Sequence, residues 1–307
     1  MSGVAKPVLR LRERQVAIGG TPLVMGILNA TPDSFSDAPA ERDPGTRDDR
    51  GRALLADGAD LIDVGGESGI TNRPAVVPEE EIARIVPVIE RLAAQPDVLI
   101  SVDTYKPAVA AAAIDAGAVM INDPSGLIDP GIADVCASTG AGLIVTHTRA
   151  RPKEKLHRPH YDDVVADVLS LLSERMELAR ERGVADDQLM VCPGPDLGKD
   201  PPQTIELLRR LPEVVALGRP VLLAVSRKDF VGALTGTPPR ERLAGTLAAI
   251  GHGLDAGAHV LRVHDVRAVR DYLTVRAALN GDLDVRDDLL LADELRREPP
   301  AAREAAA

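Results

Sequence analysis

The chain has 307 residues, 45% of them hydrophobic and 27% charged, which suits a soluble globular protein built as about two average domains or as one large α/β barrel. The 36 Lys and Arg against 47 Asp and Glu leave a net charge of −11, which argues against a general nucleic-acid or anionic-membrane binder. Two cysteines, Cys136 and Cys192, make neither a disulfide framework nor a zinc knot, and three Tyr and two Phe without Trp give no stacking platform for single-stranded nucleic acid.

No apolar run approaches the ~18 residues of a membrane span, and the N-terminus lacks a signal-peptide pattern, so the cytoplasm is the expected compartment. Val8–Ile18, with its polar Arg-Glu-Arg-Gln centre, predicts a hairpin plugging a barrel bottom, or else an exposed arm. Eight short apolar runs follow: Leu23–Asn29, Leu61–Gly66, Leu99–Thr104, Val119–Pro124, Gly142–His147, Leu189–Gly194, Val221–Ser226 and His259–Asp265. Each is continuous rather than alternating, as in strands buried on both faces of a parallel sheet.

Helical patterns lie between them. Pro78 and Glu79–Glu81 open Ile82–Ala94, with proline and acids where a helix start favours them. Lys106–Ala116 stops at Gly117, Tyr161–Arg182 at Gly183, Thr204–Leu217 at Gly218 and Arg240–Ala256 at Gly257, and Val266–Leu279 follows the last strand. This alternation predicts a (β/α)8 TIM barrel with an N-terminal β-hairpin over residues 1–281, with an open doubly wound sheet as the alternative. The open sheet is weakened because no glycine-rich dinucleotide fingerprint follows the first strand. Residues 282–307 read as a C-terminal tail, a loose helix over Asp282–Arg297 and then disorder.

In such barrels chemistry sits at the C-terminal strand ends. There the sequence places Asn29, Asp103, Asn122 with Asp123, His147 with Arg149, Cys192, Ser226 with Lys228, and Arg262 with His264; the second strand ends in Gly-Gly-Glu67-Ser68. Each alone has a structural explanation: Asp103 as a helix cap, Asn122 as a turn, His264 as a packed histidine. Together they suit a polar ligand. Asp103 and Asn122 offer acceptors and donors to a flat nitrogen heterocycle, and Lys228 adds a point charge. Arg73, Arg262 and His264 suit an anion such as phosphate. Asn29 suits Mg²⁺ held mainly by that anion.

The strings that carry these residues resemble dihydropteroate synthases. They are Met25-Gly-Ile-Leu-Asn29-Ala-Thr-Pro-Asp-Ser-Phe-Ser-Asp37, Gly58-Ala-Asp-Leu-Ile-Asp-Val-Gly-Gly-Glu-Ser68, Ser101-Val-Asp-Thr-Tyr-Lys106, Ile121-Asn-Asp-Pro-Ser-Gly126, Ser226-Arg-Lys228 and Arg262-Val-His-Asp-Val266, in order from about Leu23 to Leu279. The resemblance implies a pterin-binding barrel that joins 6-hydroxymethyl-dihydropterin pyrophosphate to p-aminobenzoate, with pyrophosphate leaving alongside Mg²⁺. It implies catalytic roles for Asn29, Lys228, Arg262 and His264, and pterin contacts from Asp103, Asn122, Lys228 and the Cys192 position. Asn29, Arg73, Arg262 and His264 would bind pyrophosphate, with Asn29 at the metal. Thr31, Pro32, Phe35, Ser226, Arg227 and Asp229 would shape the p-aminobenzoate pocket. It also implies a homodimer through late barrel helices.

The chain departs from that family at four places. Cys192-Pro-Gly-Pro-Asp196-Leu-Gly-Lys199 carries Cys where the family has Asp. Exchanging a charged acceptor for a thiol should cost about 1.5–3 kcal/mol, or about ten- to a hundredfold in pterin affinity. Asp196 stands at a usual glycine and reads as a surface-loop residue, with substitution for the lost carboxylate as the alternative. Asp229 replaces a Ser that helps hold the acceptor carboxylate; it repels that carboxylate or itself occupies the helix start. Arg73 is pushed away from Ser68 by a stretched loop. Ala150–Arg158 adds basic residues and His157, read as a solvated loop with an anion lid as the alternative, and His157 with His160 form only a weak metal pair. This combination resembles the divergent second homologue of actinobacteria, a branch with little or no synthase activity. A corrinoid methyltransferase, which shares the barrel and the Asp and Asn contacts, would leave the Arg262-Val-His264 string without a purpose.

Overall fold

The computed structural model describes residues 8–31, 44–69, 71, 74–154, 156 and 159–297. Its contacts divide the chain into two units, Met1–Arg270 and Asp271–Ala307.

The first unit opens with an antiparallel hairpin of β1 (Val8–Leu11) and β2 (Arg14–Ala17). Eight parallel strands follow: β3 (Leu23–Asn29), β4 (Leu61–Gly65), β5 (Leu99–Asp103), β6 (Met120–Asp123), β7 (Gly142–Thr146), β8 (Leu189–Cys192), β9 (Leu222–Leu223) and β10 (Val260–Val263). They pair in sequence order from β3 to β8, while β10 lies between β3 and β9. A single bridge, Val191 to Val221, joins β8 to β9 and nearly closes the (β/α)8 barrel. Every residue of β4, β6, β7 and β8 is buried, which is why these strands read as unbroken apolar runs.

The helices are α1 (Pro44–Ala56), α2 (Pro78–Ala93), α3 (Pro107–Asp115), α4 (Gly131–Thr139), α5 (Val164–Glu181), α6 (Pro201–Arg209), α7 (Leu211–Val215), α8 (Asp229–Thr235), α9 (Leu243–Asp255) and α10 (Val266–Asn280). Proline opens α2, and its buried Ile85, Val88, Ile89 and Leu92 recur at helical spacing. Asp163 caps α5 by accepting from the amides of Val165 and Ala166. The helix expected over Thr204–Leu217 is split into α6 and α7. Pro212 has no N–H to give, and its ring crowds the carbonyl one turn back.

The hairpin closes the barrel floor. Leu9, Leu11 and Ile18 pack with Met25, Leu61, Met120, Leu222 and Val260, residues at or near the N-terminal ends of their strands. A side chain at Gly142 would stand 2.5 Å from Leu11, so glycine is what lets the plug seat against β7. In the second unit, the helix expected over Asp282–Arg297 is absent; the described residues form only a short 3₁₀ turn at Asp293–Leu295. Gly281, at φ +78, ends α10, and in the acidic segment beyond it Leu289, Leu290, Leu291 and Leu295 stay exposed instead of packing as one face of a helix.

Candidate active site

The strand ladder sets the deepest part of the site. In register, Asp103 of β5 lies beside Asn122 of β6, and Asp63 of β4 beside Ser101. Arg262 of β10 reaches both carboxylates: Nε donates to Asp63 Oδ2 at 2.6 Å and Nη2 to Asp103 Oδ2 at 2.7 Å. Asn122 Nδ2 donates to the same Asp63 oxygen at 3.0 Å. Asp63 was missed as a site residue, although a carboxylate inside the run Leu61-Ile-Asp-Val was the signal: a charge fully buried in a strand needs a partner. Its other oxygen, with Ser101 Oγ, is buried without a hydrogen-bond partner among the described residues.

Burial pushes the Asp103 pKa up to about 7; Arg262 works against that rise, and the Asp63 and Glu81 charges add to it. Burial alone would lower the Arg262 pKa, but Asp63 and Asp103 more than reverse this, so the guanidinium stays charged.

Cys192 closes β8 and is 2% exposed. Burial raises its thiol pKa against the nearby charges of Lys228 and Lys199, so the site holds a neutral thiol and not a cation-favoured thiolate. Cys136 is likewise inert, pushed up by burial to about 12. Beyond Cys192 the chain turns sharply. A side chain at Gly194, φ +64, would overlap the His147 carbonyl. Lys199 folds back under this turn, donating to His147 Nδ1 at 2.7 Å and to the carbonyls of Gly194 and Leu197 at 3.0 and 3.1 Å. With Nδ1 accepting, the His147 proton sits on Nε2, 2.9 Å from Asp167. Burial, with the charges of Lys199 and Arg149, takes His147 down to about 2, and burial takes Lys199 down to about 7.

These residues open onto a cavity of about 680 Å³. Asp103, Asn122, Cys192, Lys228, Asp229 and Arg262 all line it. So does Asp196, which corrects its reading as a surface-loop residue: at φ +60 it turns its carboxylate inward, accepting from Thr204 Oγ1 at 2.9 Å and the Phe230 amide at 3.2 Å. Asp229 begins α8, 86% exposed, and pairs with Arg242 at 2.9 Å. Burial lowers the Lys228 pKa, Asp196 raises it and Arg262 lowers it again.

The segment after β7 is a wall of the cavity rather than a solvated loop, since Arg151, Pro152, Lys153, Glu154 and Leu156 line it. Lys153 crosses to the loop after β4, donating to the Ser68 carbonyl and pairing with Glu67 at 3.0 Å. Glu67 is held from below by Lys106, which also binds buried Glu81, and by Tyr105 at 3.1 Å.

Other expected residues sit elsewhere. Ser226, Arg227 and His264 are not among those lining the cavity. Ser226 Oγ meets His264 Nδ1 at 3.0 Å, and burial with the Arg227 and Arg262 charges lowers His264 to about 3. Arg227, at φ +58, pairs with Asp265 at 2.6 Å. Asn29 ends β3 beside Gly65, and Thr31 is buried. Pro32, Phe35, Arg73 and His157 lie outside the described residues; His160 is exposed and pairs with Asp162. Among the described residues, no group of three or more His, Cys, Asp or Glu is arranged to hold a metal, and no helix is long and apolar enough to cross a membrane.

A barrel whose strand ends carry Asp, Asn, Lys and Arg around one cavity defines an enzyme class that takes a flat polar heterocycle. The family profile described as pterin binding enzyme matches residues 25–264, and the chain belongs to that family. It is 44% identical over 270 residues to inactive dihydropteroate synthase 2 of Mycobacterium tuberculosis, covering 86% of this chain and 84% of that protein. It is 44% identical over 243 residues to a probable bifunctional folylpolyglutamate synthase/dihydropteroate synthase of Haloferax volcanii; the match covers 79% of this chain but spans only 29% of that longer protein. The structure of Xanthomonas albilineans dihydropteroate synthase in complex with 7,8-dihydropteroate superposes with a TM-score of 0.80 at 43% identity, covering 90% of this chain and 99% of that one.

Proposed function

We propose that this chain is a dihydropteroate synthase-type transferase that takes 6-hydroxymethyl-dihydropterin pyrophosphate and an aromatic amine. The observation that carries the reading is the Arg262 fork between Asp63 and Asp103, with Asn122 alongside, at one end of a cavity. Asp103 and Asn122 match the ring donors and acceptors of a pterin, and Lys228 faces them from the opposite wall. Arg262 and His264 bind the pyrophosphate, the guanidinium by charge and the neutral imidazole by hydrogen bonding. Attack of the amine nitrogen on the pterin methylene forms the C–N bond as the C–O bond to pyrophosphate breaks and the amine proton passes to solvent. The protein's part is to fix the two reactants and stabilise the departing anion.

The donor set fits Mg²⁺ only as a companion of the substrate. Asn29 offers a single neutral oxygen, so pyrophosphate oxygens and water would complete the shell, and the ion would add charge neutralisation. A homodimer in the cytoplasm remains part of this reading.

A second reading is favoured by Cys192, Asp196 and Asp229: a paralogue that retains the pterin site and has weak or no turnover with p-aminobenzoate. The inactive mycobacterial relative agrees with it. The test is formation of dihydropteroate from radiolabelled p-aminobenzoate, Mg²⁺ and the pterin pyrophosphate. Turnover supports the synthase; pterin binding without product supports the paralogue; no pterin binding removes both.

A further inference from the structure

The cavity wall around Lys228 carries a fixed negative charge. The Asp196 carboxylate is held at both oxygens by the chain itself, from the fully buried Thr204 and from the Phe230 amide. Its place therefore does not depend on a ligand. It bonds to the first turn of α8, the turn that carries Asp229 at the outer edge of the cavity. Asp103 and Asn122 lie on β5 and β6; Asp196 follows β8, two places round the barrel from β6, and its bond to the Phe230 amide ties it to α8 beyond β9. A flat ring bound against Asp103 and Asn122 leaves Asp196 to face the second substrate. Asp229 is turned outward to Arg242, so an anion approaching the first turn of α8 from the cavity meets the Asp196 charge. Like charges that share one cavity repel.

We propose that Asp196 determines acceptor specificity. By placing a carboxylate of the chain on the cavity wall at the first turn of α8, it selects an amine that carries no carboxylate at the end packed there. The inference rests on the reading of the Asp103 side as the pterin site.

The test compares the dissociation constants of p-aminobenzoate and its neutral isostere p-aminobenzamide, with and without the pterin pyrophosphate and Mg²⁺, for the wild type, Asp196→Asn and Asp196→Gly. Asn keeps the size and tolerates positive φ; Gly removes the side chain at a φ that glycine adopts freely. The wild type is expected to prefer the amide about tenfold or more. Asp196→Asn should move the ratio toward the acid by about tenfold, with pterin pyrophosphate affinity nearly unchanged. A wild type that prefers the acid or binds neither compound, or a ratio equal in wild type and variant, overturns the proposal. If Asp196→Asn instead weakens the pterin pyrophosphate and leaves the ratio alone, Asp196 is a pterin ligand and the proposal also falls. If the wild type binds no pterin pyrophosphate but the ratio still shifts, Asp196 keeps its role and the reading of the pterin side is what fails.

Discussion

The two ends of the cavity are built by different means. At the inner end, Asp63, Asp103, Asn122 and Arg262 stand on four strands, and the ladder register fixes their spacing. At the outer end, Lys153, Asp196 and Asp229 stand on segments after strands, two of them at positive φ, held by side-chain bonds. Apart from Cys192, the inner end carries the residue types that the resemblance implies, and the outer end departs from them at Asp196 and Asp229. A parallel barrel thus carries one substrate site on a scaffold that tolerates little change, while the loops above are free to alter the partner.

The inner end should break most severely. Arg262→Ala leaves the fully buried Asp63 and the part-exposed Asp103 facing each other without their cation. Denaturant unfolding should show a loss of about 3–5 kcal/mol, with pterin pyrophosphate binding abolished. An unchanged unfolding midpoint would mean that the fork contributes little.

Next in size is Cys192→Asp, which puts a carboxylate where the chain has a buried thiol near Lys199 and Lys228. Pterin affinity should rise about ten- to a hundredfold. A variant that folds and binds more weakly would show that the thiol is fitted to its ligand.

The mildest effect is that of pH. Asp103 is raised to about 7, so the folded protein carries a proton there, between the ordinary carboxylate range and about 7, that the unfolded chain lacks. Stability from this group is therefore present at low pH and lost as pH rises through about 7. Binding of 6-hydroxymethyl-7,8-dihydropterin, which is uncharged in this range and donates to the carboxylate, should strengthen several-fold from pH 6 to pH 8. Asp103→Asn should flatten that profile; a profile as steep as the wild type's would assign the titration to another group.

The inner end was legible in the sequence because strands buried on both faces show as apolar runs whose last polar residues mark the site. β3 matches its expected span, and the others differ by a few residues at their ends. Asp63 stands in the middle of its strand rather than at the end, and only its charge inside an apolar run marks it in the sequence. Asp196 and the segment that carries Lys153 were legible only as alternatives, a substitute for the lost carboxylate and an anion lid, and Lys199 was not legible as a site residue. Their directions depend on turns at Gly194 and Gly198 and on contacts across the mouth, for which no local pattern exists. α1 and α4 gave weak patterns, one dense in charge and the other only nine residues long.

The account stands on a pterin site at the inner end that is intact despite Cys192. Calorimetric titration of the wild type and Arg262→Ala with 6-hydroxymethyl-dihydropterin pyrophosphate and Mg²⁺ tests this directly. Saturable binding to the wild type, lost by at least about a hundredfold in the variant, is the predicted result. A wild type that binds no pterin pyrophosphate, or a variant that binds as well as the wild type, would contradict it.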